Sequence, residues 1–126
     1  MPASPIHVLL VDDQPAVRRG LRLRLGLEPD LRVIGDAQDG QEALELAGAL
    51  SPHVVVMDVA MPGLDGLMAA SALRSVAPHS RVVILTLHDD LATRRRATSV
   101  GVSAFVAKHE PPEVLVAAIR QAALPS

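Results

Sequence analysis

Cysteine is absent from this 126-residue chain, so it can form neither a disulfide nor a thiolate metal site. Tryptophan and tyrosine are also absent, and Phe105 is the single aromatic residue. No apolar run approaches the roughly 20 residues that span a membrane, and no signal peptide is evident. The formal net charge of -2 does not indicate a nucleic-acid surface. A cytoplasmic globular domain without membrane contact is therefore expected.

Lysine is nearly absent, because Lys108 is the only lysine among the 12 lysine and arginine residues. A compact ammonium group on a flexible stem can act where a planar guanidinium cannot. Lys108 is therefore a candidate functional residue, with chance as the competing explanation.

The chain is long enough for one domain with a real core, and 49% of its residues are hydrophobic. We expect a single domain over 1–126, with its core at about 6–123. Short, nearly continuous apolar runs are typical of strands buried on both faces. Five such runs are present: Ile6–Val11, Leu31–Gly35, His53–Met57, Arg81–Thr86 and Ser103–Ala107.

Each run is followed by a segment of helical composition. Four of these are Pro15–Leu27, Leu64–Val76, Leu91–Val100 and Pro111–Ala123, and the fifth follows an expected N-cap and capping box at Asp39 and Glu42. Strand–helix alternation predicts an α/β fold, with a parallel sheet covered by helices on both faces.

The first and last helices each carry an apolar stripe expected to face the core. The first stripe is Val17, Leu21 and Leu25, with Arg18, Arg19, Arg22 and Arg24 mostly off it. The last stripe is Val114, Leu115, Ala118 and Ile119.

Open α/β sheets bind ligands beyond the carboxyl ends of their strands. Four of the five expected strands end in a chemically useful residue: Asp12 and Asp13, Asp58, Thr86, and Lys108. The remaining strand ends at Asp36, for which the sequence offers no matching partner. Alone, each candidate is more often a turn residue, a strand former or a solvated charge. Their coincidence at one edge of a sheet is much less probable by chance.

This combination has a chemical logic. Clustered carboxylates repel one another, and hard oxygen ligands suit Mg²⁺, which also shares phosphate oxygens. A lysine and a threonine can bind further phosphoryl oxygens. One carboxylate oxygen could then attack phosphorus and form an aspartyl phosphate.

At this point the sequence resembles the receiver domains of two-component response regulators. The resemblance covers about Ile6 to Ala123 and includes Asp12-Asp13, the string MDVAMPGLDG from Met57, ILTLHDD from Ile84 and FVAK from Phe105. It implies a flavodoxin-like (βα)5 doubly wound sheet of order 2-1-3-4-5. The segments TLHD and EPDLRVIG are similar to the subfamily with LuxR-type helix-turn-helix output domains.

The resemblance implies a role for each matching position. Asp58 would accept a phosphoryl group from a sensor histidine kinase. The ligands of Mg²⁺ (or Mn²⁺) would be Asp12, Asp13, Asp58 and the backbone carbonyl of Ala60, with Asp13 direct and Asp12 held more loosely.

Lys108 would pair with the phosphoryl group, while Thr86 would swing in to bond it and Phe105 would move inward. The readout surface would be helix 4, strand 5 and helix 5, including Arg94–Arg96. A solvated helix face is the alternative explanation of that arginine run.

Three departures from the family pattern affect the expected lifetime of the phosphate. His109 stands where many receivers have proline, so the preceding peptide is expected to be trans. Leu87 is bulkier than usual, and Ala60 has no side chain that reaches phosphate or water. His88 and His109 are expected at the surface.

The expected function is a phosphorylation-dependent switch, the regulatory half of a transcriptional regulator, and not an enzyme beyond its own phosphorylation and dephosphorylation. Within the family, a stand-alone or phosphorelay receiver and a phosphorylation-independent one remain alternatives. An aspartyl phosphatase would need D-x-D, where this chain has Asp12-Asp13-Gln14, and no G-x-G-x-x-G loop supports a flavin or dinucleotide carrier.

Expected partners are the kinase and a second copy on phosphorylation, through helices 1 and 5 or the helix 4–strand 5–helix 5 face. DNA would be bound only through an output domain that these residues do not include.

Overall fold

The computed structural model describes residues 4–125 as a five-stranded parallel sheet with the order β2-β1-β3-β4-β5. The strands are β1 Ile6–Val11, β2 Leu31–Ala37, β3 Val54–Met57, β4 Arg81–Thr86 and β5 Ala104–Ala107. The helices are α1 Pro15–Leu25, α2 Gly40–Leu50, α3 Gly66–Val76, α4 Leu91–Val100 and α5 Pro112–Ala123. The predicted α/β class, strand order and flavodoxin-like receiver fold are confirmed.

The sheet separates two apolar cores, because alternate residues of each strand point to opposite faces. On one face, Leu9, Val55 and Ile84 pack with α2, α3 and α4 residues, and on the other, Val8 and Val56 pack with α1 and α5 residues. Strand β3 is buried at all four positions, so burial on both faces explains its continuous apolar sequence.

Some predicted bounds differ from the structure by one or two residues. Strand β2 continues to Ala37 rather than ending at Gly35, and α1 ends at Leu25 rather than Leu27 because Gly26 caps it. Helix α3 begins at Gly66 instead of Leu64, since Asp65 is its N-cap and accepts a bond from Met68.

The other differences are one residue each, at the starts of β3, β5 and α5: Val54, Ala104 and Pro112.

The predicted N-cap of α2 is confirmed, and the capping box is altered. The Asp39 side chain accepts a hydrogen bond from the backbone N–H of Glu42 at 2.8 Å. The Glu42 carboxylate accepts from the N–H of Gln38 rather than from that of the cap residue. This return bond anchors the residue before the cap, so the chain enters α2 from a fixed turn.

The apolar stripe predicted for α5 is partly wrong. Leu115 and Ile119 are buried as expected, but Val114 is 39% exposed, and Val116 is buried in its place. In α1, only Leu25 of the predicted stripe is fully buried, because this helix covers the outer part of the sheet.

No helix among residues 4–125 is long and apolar enough to cross a membrane.

Candidate functional site

Three carboxylates meet at the carboxyl ends of β1 and β3. Each of Asp12, Asp13 and Asp58 offers an oxygen, and these oxygens all lie within 4.8 Å of one another. Asp12 and Asp58 are buried, with 2% and 7% of their surface exposed, whereas Asp13 is exposed. The sheet therefore brings together the three acids that the sequence singled out.

Lys108 lies directly after β5 and bridges two of these acids. Its Nζ donates to Asp12 Oδ2 at 2.8 Å and to Asp58 Oδ2 at 3.0 Å. Burial opposes the charge on the ammonium, but the hydrogen bonds to Asp12 and Asp58 outweigh it and raise the pKa of Lys108. The only lysine thus stays protonated and offsets part of the negative charge of the cluster.

Asp12 is fixed by contacts on every side. Its Oδ1 accepts from the N–H of Gln14 at 2.9 Å, while its own N–H donates to the carbonyl of Ala37 at 3.1 Å. Its carbonyl accepts from Nη1 of Arg18 at 2.5 Å. With Lys108 on Oδ2, Asp12 has little freedom left to reorient.

Asp58 follows the last residue of β3, and its N–H donates to the carbonyl of Val11 at 3.1 Å. Its Oδ1 accepts only a long bond of 3.3 Å from the N–H of Ala60. The loop then returns closely, because a Cβ on Gly66 would lie 1.9 Å from the carbonyl oxygen of Asp58. Glycine is therefore needed at position 66 so that the loop 58–65, called the acidic loop below, can pack against α3.

Thr86 is fully buried at the end of β4, and its Oγ1 accepts from the N–H of His88 at 3.1 Å. Its carbonyl accepts from the N–H of Lys108 at 2.9 Å, which ties the two strand ends together. The hydroxyl is thus engaged by the loop that leads to α4.

Phe105 is half-buried on β5 beside Ile84 of β4. The guanidinium of Arg94 lies over its ring, 4.5 Å from the centroid, and also pairs with Asp89. The hydrogen bond that Arg94 donates to Asp89 outweighs the effect of burial and raises the pKa of Arg94. Phe105, one member of the expected switch pair, is therefore linked through Arg94 to the β4–α4 loop.

All three arginines of the α4 run are exposed, which agrees with the solvated-face explanation, but two of them also form ion pairs. Besides Arg94, Arg96 pairs with Asp65 at 3.1 Å and so connects α4 to the cap of α3.

The three positions expected to modulate the site lie at the surface. Leu87 is 72% exposed, His109 has a 70% exposed side chain, and Ala60 is exposed. His88 and His109 are at the surface as predicted, and the peptide after Lys108 is trans as predicted. Their effect on phosphate lifetime stays a prediction.

Two residues of the site were missed or misjudged from sequence. Arg18 was assigned to the polar face of α1, yet its side chain is only 16% exposed and points to Asp12. Asp36, which had no evident partner, lies 3.6 Å from Arg18 and 3.1 Å from Arg22. Pairing across β1, α1 and β2 leaves no periodic signal in the sequence, so only the fold reveals it.

The donor set fits a hard divalent cation. Carboxylate oxygens are what Mg²⁺ prefers, and an incomplete protein shell leaves room for water and phosphate ligands. Asp13 makes no hydrogen bond or ion pair with any residue among 4–125, so its carboxylate is available as a ligand.

Comparison with known proteins agrees with this geometry. The response regulator receiver domain family matches residues 8–120. The chain is 37% identical over 121 residues to the nitrate/nitrite response regulator protein NarP of Escherichia coli, covering 96% of this chain and 56% of the relative. It is 39% identical over 116 residues to response regulator GacA of Pseudomonas aeruginosa, covering 92% and 54%. It thus spans a little over half of these relatives.

The fold also matches solved receivers. The signal receiver domain of the putative response regulator NarL from Mycobacterium tuberculosis superposes with a TM-score of 0.91 at 35% identity, covering 96% of this chain and 98% of that one. A LuxR-family two-component response regulator from Aurantimonas sp. gives 0.90 at 35% identity, covering 95% and 86%.

Fold and site thus define a signalling domain rather than a classical enzyme. The chain belongs to the response-regulator receiver domain family, and its relatives include response regulators of the NarL and NarP type as well as proteins named as transcriptional regulatory proteins.

Proposed function

We propose that this receiver domain is switched by phosphorylation of Asp58 in the presence of Mg²⁺, with a sensor histidine kinase as the phosphoryl donor. The observation that carries the proposal is the bridge from Lys108 to Asp12 and Asp58, beside the exposed carboxylate of Asp13. The proposed nucleophile Asp58 and the ammonium of Lys108 are thereby hydrogen-bonded to each other, and the proposed cation ligand Asp13 has an oxygen within 4.8 Å of oxygens of Asp12 and Asp58.

Mg²⁺ or Mn²⁺ would be held by Asp13, Asp12 and Asp58 together with the carbonyl of Ala60. Asp13 is the direct ligand in this proposal because its carboxylate is exposed and uncommitted, whereas both oxygens of Asp12 already accept bonds. When bound, the cation offsets negative charge on the carboxylates and on the incoming phosphoryl oxygens.

The transfer itself needs a free oxygen on Asp58. That oxygen attacks phosphorus, a P–O bond forms, and the P–N bond of the donor phosphohistidine breaks with its electron pair leaving on the imidazole nitrogen. Lys108 exchanges its bond to Asp58 for one to a phosphoryl oxygen, and remains protonated because its pKa is raised.

The new phosphoryl group carries about two negative charges at neutral pH. The Thr86 hydroxyl then leaves the N–H of His88 and donates to a phosphoryl oxygen, and Phe105 moves inward as the β4–α4 loop shifts. Because Arg94 bonds both that loop and the ring, the movement reaches the α4–β5–α5 surface.

The full-length protein is proposed to be a cytoplasmic transcriptional regulator. Its close relatives are about twice this length and are named as regulators, so DNA binding would reside in residues outside 1–126. Homodimerisation on phosphorylation is part of the same proposal.

The test is mass spectrometry after incubation with acetyl phosphate and Mg²⁺. We expect one added phosphoryl group on the parent and on an Asp30→Asn control, and none on Asp58→Ala or with excess EDTA. An unmodified parent, or an Asp58→Ala variant that is labelled like the parent, would contradict the acceptor assignment. The first of these outcomes would favour a phosphorylation-independent receiver.

A further inference from the structure

Arg18 points inward from α1 to the acidic edge of the sheet. Its Nη1 donates to the backbone carbonyl of Asp12 at 2.5 Å, and its side chain is only 16% exposed. A charge-assisted bond to a partly buried carbonyl is stronger than one between neutral groups. Arg18 therefore restrains the first residue of the acidic pair through its backbone.

Asp36, at the end of β2, holds Arg18 in this orientation. Its Oδ1 lies 3.6 Å from Nε of Arg18, and its Oδ2 accepts from Nη2 of Arg22 at 3.1 Å. The network thus joins the end of β1, the first turns of α1 and the end of β2. The side chains of Arg18, Arg22 and Asp36 do not belong to the proposed set of cation ligands.

Asp13 follows Asp12 directly and has no partner of its own among residues 4–125. The place of its carboxylate is therefore set by the backbone of Asp12, which the Arg18 bond and the Ala37 bond hold from two directions. Residues that orient a ligand without touching the cation commonly change its affinity about 10- to 100-fold.

We propose that Arg18, held by Asp36, is a positioning residue that fixes the Asp12–Asp13 turn for binding of a divalent cation. This inference rests on the proposed function, because it concerns the cation site used there. Arg18 touches neither the cation nor the phosphoryl group, and it acts through the carbonyl of Asp12.

A positioning role and a purely electrostatic role predict opposite changes in cation affinity for one variant. If only charge mattered, Arg18→Gln would remove a repelling positive charge and tighten cation binding, whereas Asp36→Asn would weaken it. If Arg18 positions the turn, both variants bind the cation more weakly. Arg18→Gln therefore separates the two explanations, whereas Asp36→Asn is expected to weaken binding under both.

The experiment measures Mn²⁺ affinity by electron paramagnetic resonance of the free ion, confirmed with Mg²⁺ by calorimetry, on the parent and both variants. We expect about tenfold weaker binding for Arg18→Gln and a smaller loss in the same direction for Asp36→Asn. Arg19→Gln is the matched control, since it removes the same charge from an exposed neighbour on α1. It should remain within about twofold of the parent.

Unchanged or tighter binding by Arg18→Gln would overturn the inference. Thermal unfolding without cation, followed by circular dichroism, distinguishes a positioning role from a general structural role. A general structural role would lower the melting temperature and leave the dissociation constant of the cation unchanged. If Arg18→Gln does not fold, Arg18→Lys decides the question, because it keeps the positive charge and loses the Nη1 bond to the Asp12 carbonyl. Weaker binding by Arg18→Lys supports the inference, and unchanged or tighter binding overturns it. Failure of the parent to bind either cation would instead count against the proposed function.

Discussion

Replacing Gly66 with alanine tests whether the acidic loop is held by close backbone packing. The new Cβ would lie 1.9 Å from the carbonyl oxygen of Asp58, 2.8 Å from its carbonyl carbon and 2.9 Å from Cα of Val59. All three are backbone atoms, so no flexible side chain can rotate away. Because the φ angle of Gly66 is not positive, its requirement for glycine is steric and not conformational.

The size of the effect follows from these distances. The Asp58 carbonyl and α3 must separate by at least about 1 Å to reach a tolerable contact, and the bond from Gly66 N–H to the Val59 carbonyl at 3.0 Å would be strained. Overpacking of this kind costs ~1–3 kcal/mol of unfolding free energy. A displacement of about 1 Å at a reacting group can reduce the rate about 100-fold.

The assay combines urea unfolding with phosphorylation kinetics. Unfolding is followed by far-ultraviolet circular dichroism, because the chain has no tryptophan or tyrosine to report by fluorescence. The initial rate of phosphorylation by acetyl phosphate is measured at saturating Mg²⁺.

Gly20→Ala is the matched control for Gly66→Ala. A Cβ at Gly20 meets nothing within 4 Å, and the residue is exposed within α1. This variant should gain about 0.8–1 kcal/mol of stability from helix propensity, with an unchanged rate. A Gly66→Ala variant that unfolds at the parent urea concentration and is phosphorylated at the parent rate would refute the packing argument.

Three further predictions concern the N-cap residue Asp39, the charge of Lys108 and the contact of Arg94 with Phe105. Asp39→Ala should lower the unfolding free energy by about 1 kcal/mol in urea titrations, since it removes the N-cap of α2. An unchanged midpoint would contradict this. Lys108→Met should be destabilised by roughly 3 kcal/mol at pH 7 in EDTA, and added Mg²⁺ should stabilise it more than the parent. The pKa of Lys108 is raised above its ordinary value of 10.5, so its contribution to the free energy of unfolding is complete below that pH and is lost as the pH rises through the folded-state pKa. The gap between parent and variant should therefore narrow above about pH 10.5, and a gap constant to pH 11 would argue against the ion pair. Arg94→Gln should broaden the ring signals of Phe105 in NMR spectra, whereas Arg95→Gln should leave them unchanged. Identical spectra for all three proteins would show that the guanidinium does not restrain the ring.

Most of the fold could be predicted from sequence because its strands are dense in valine, isoleucine and leucine. The bounds of β1 and β4 agree with the structure at both ends. Bounds were less predictable where a cap decides them, as at Gly26 and Asp65, because the side-chain bonds there depend on the local turn. Val114 was misjudged since the buried face of α5 is formed by Leu115, Val116, Ile119 and Ala122, which leaves Val114 exposed.

The candidate site could be predicted as a set of residues because each member ends a strand, and parallel strands end at one edge. The contacts of Arg18, Asp36 and Arg94 could not be predicted, since they join different elements whose relative placement only the fold provides. Arg18 is an example. The helical pattern places it on the polar side of α1, but its side chain lies inward because it contacts Asp12 after β1 and Asp36 in β2.

The bond from Lys108 to Asp12 joins residues 96 positions apart in the chain. The acids that follow β1 and β3 are made before their lysine partner, because Lys108 follows β5, the last strand of this sheet in chain order. A ribosome-bound chain that ends before β5 therefore carries the acceptor without its counter-charge. The proposed transfer therefore requires that β5 has joined the edge of the sheet. The residue that would bind phosphate thus follows the last strand of the sheet, and of the domain's elements only α5 comes after it.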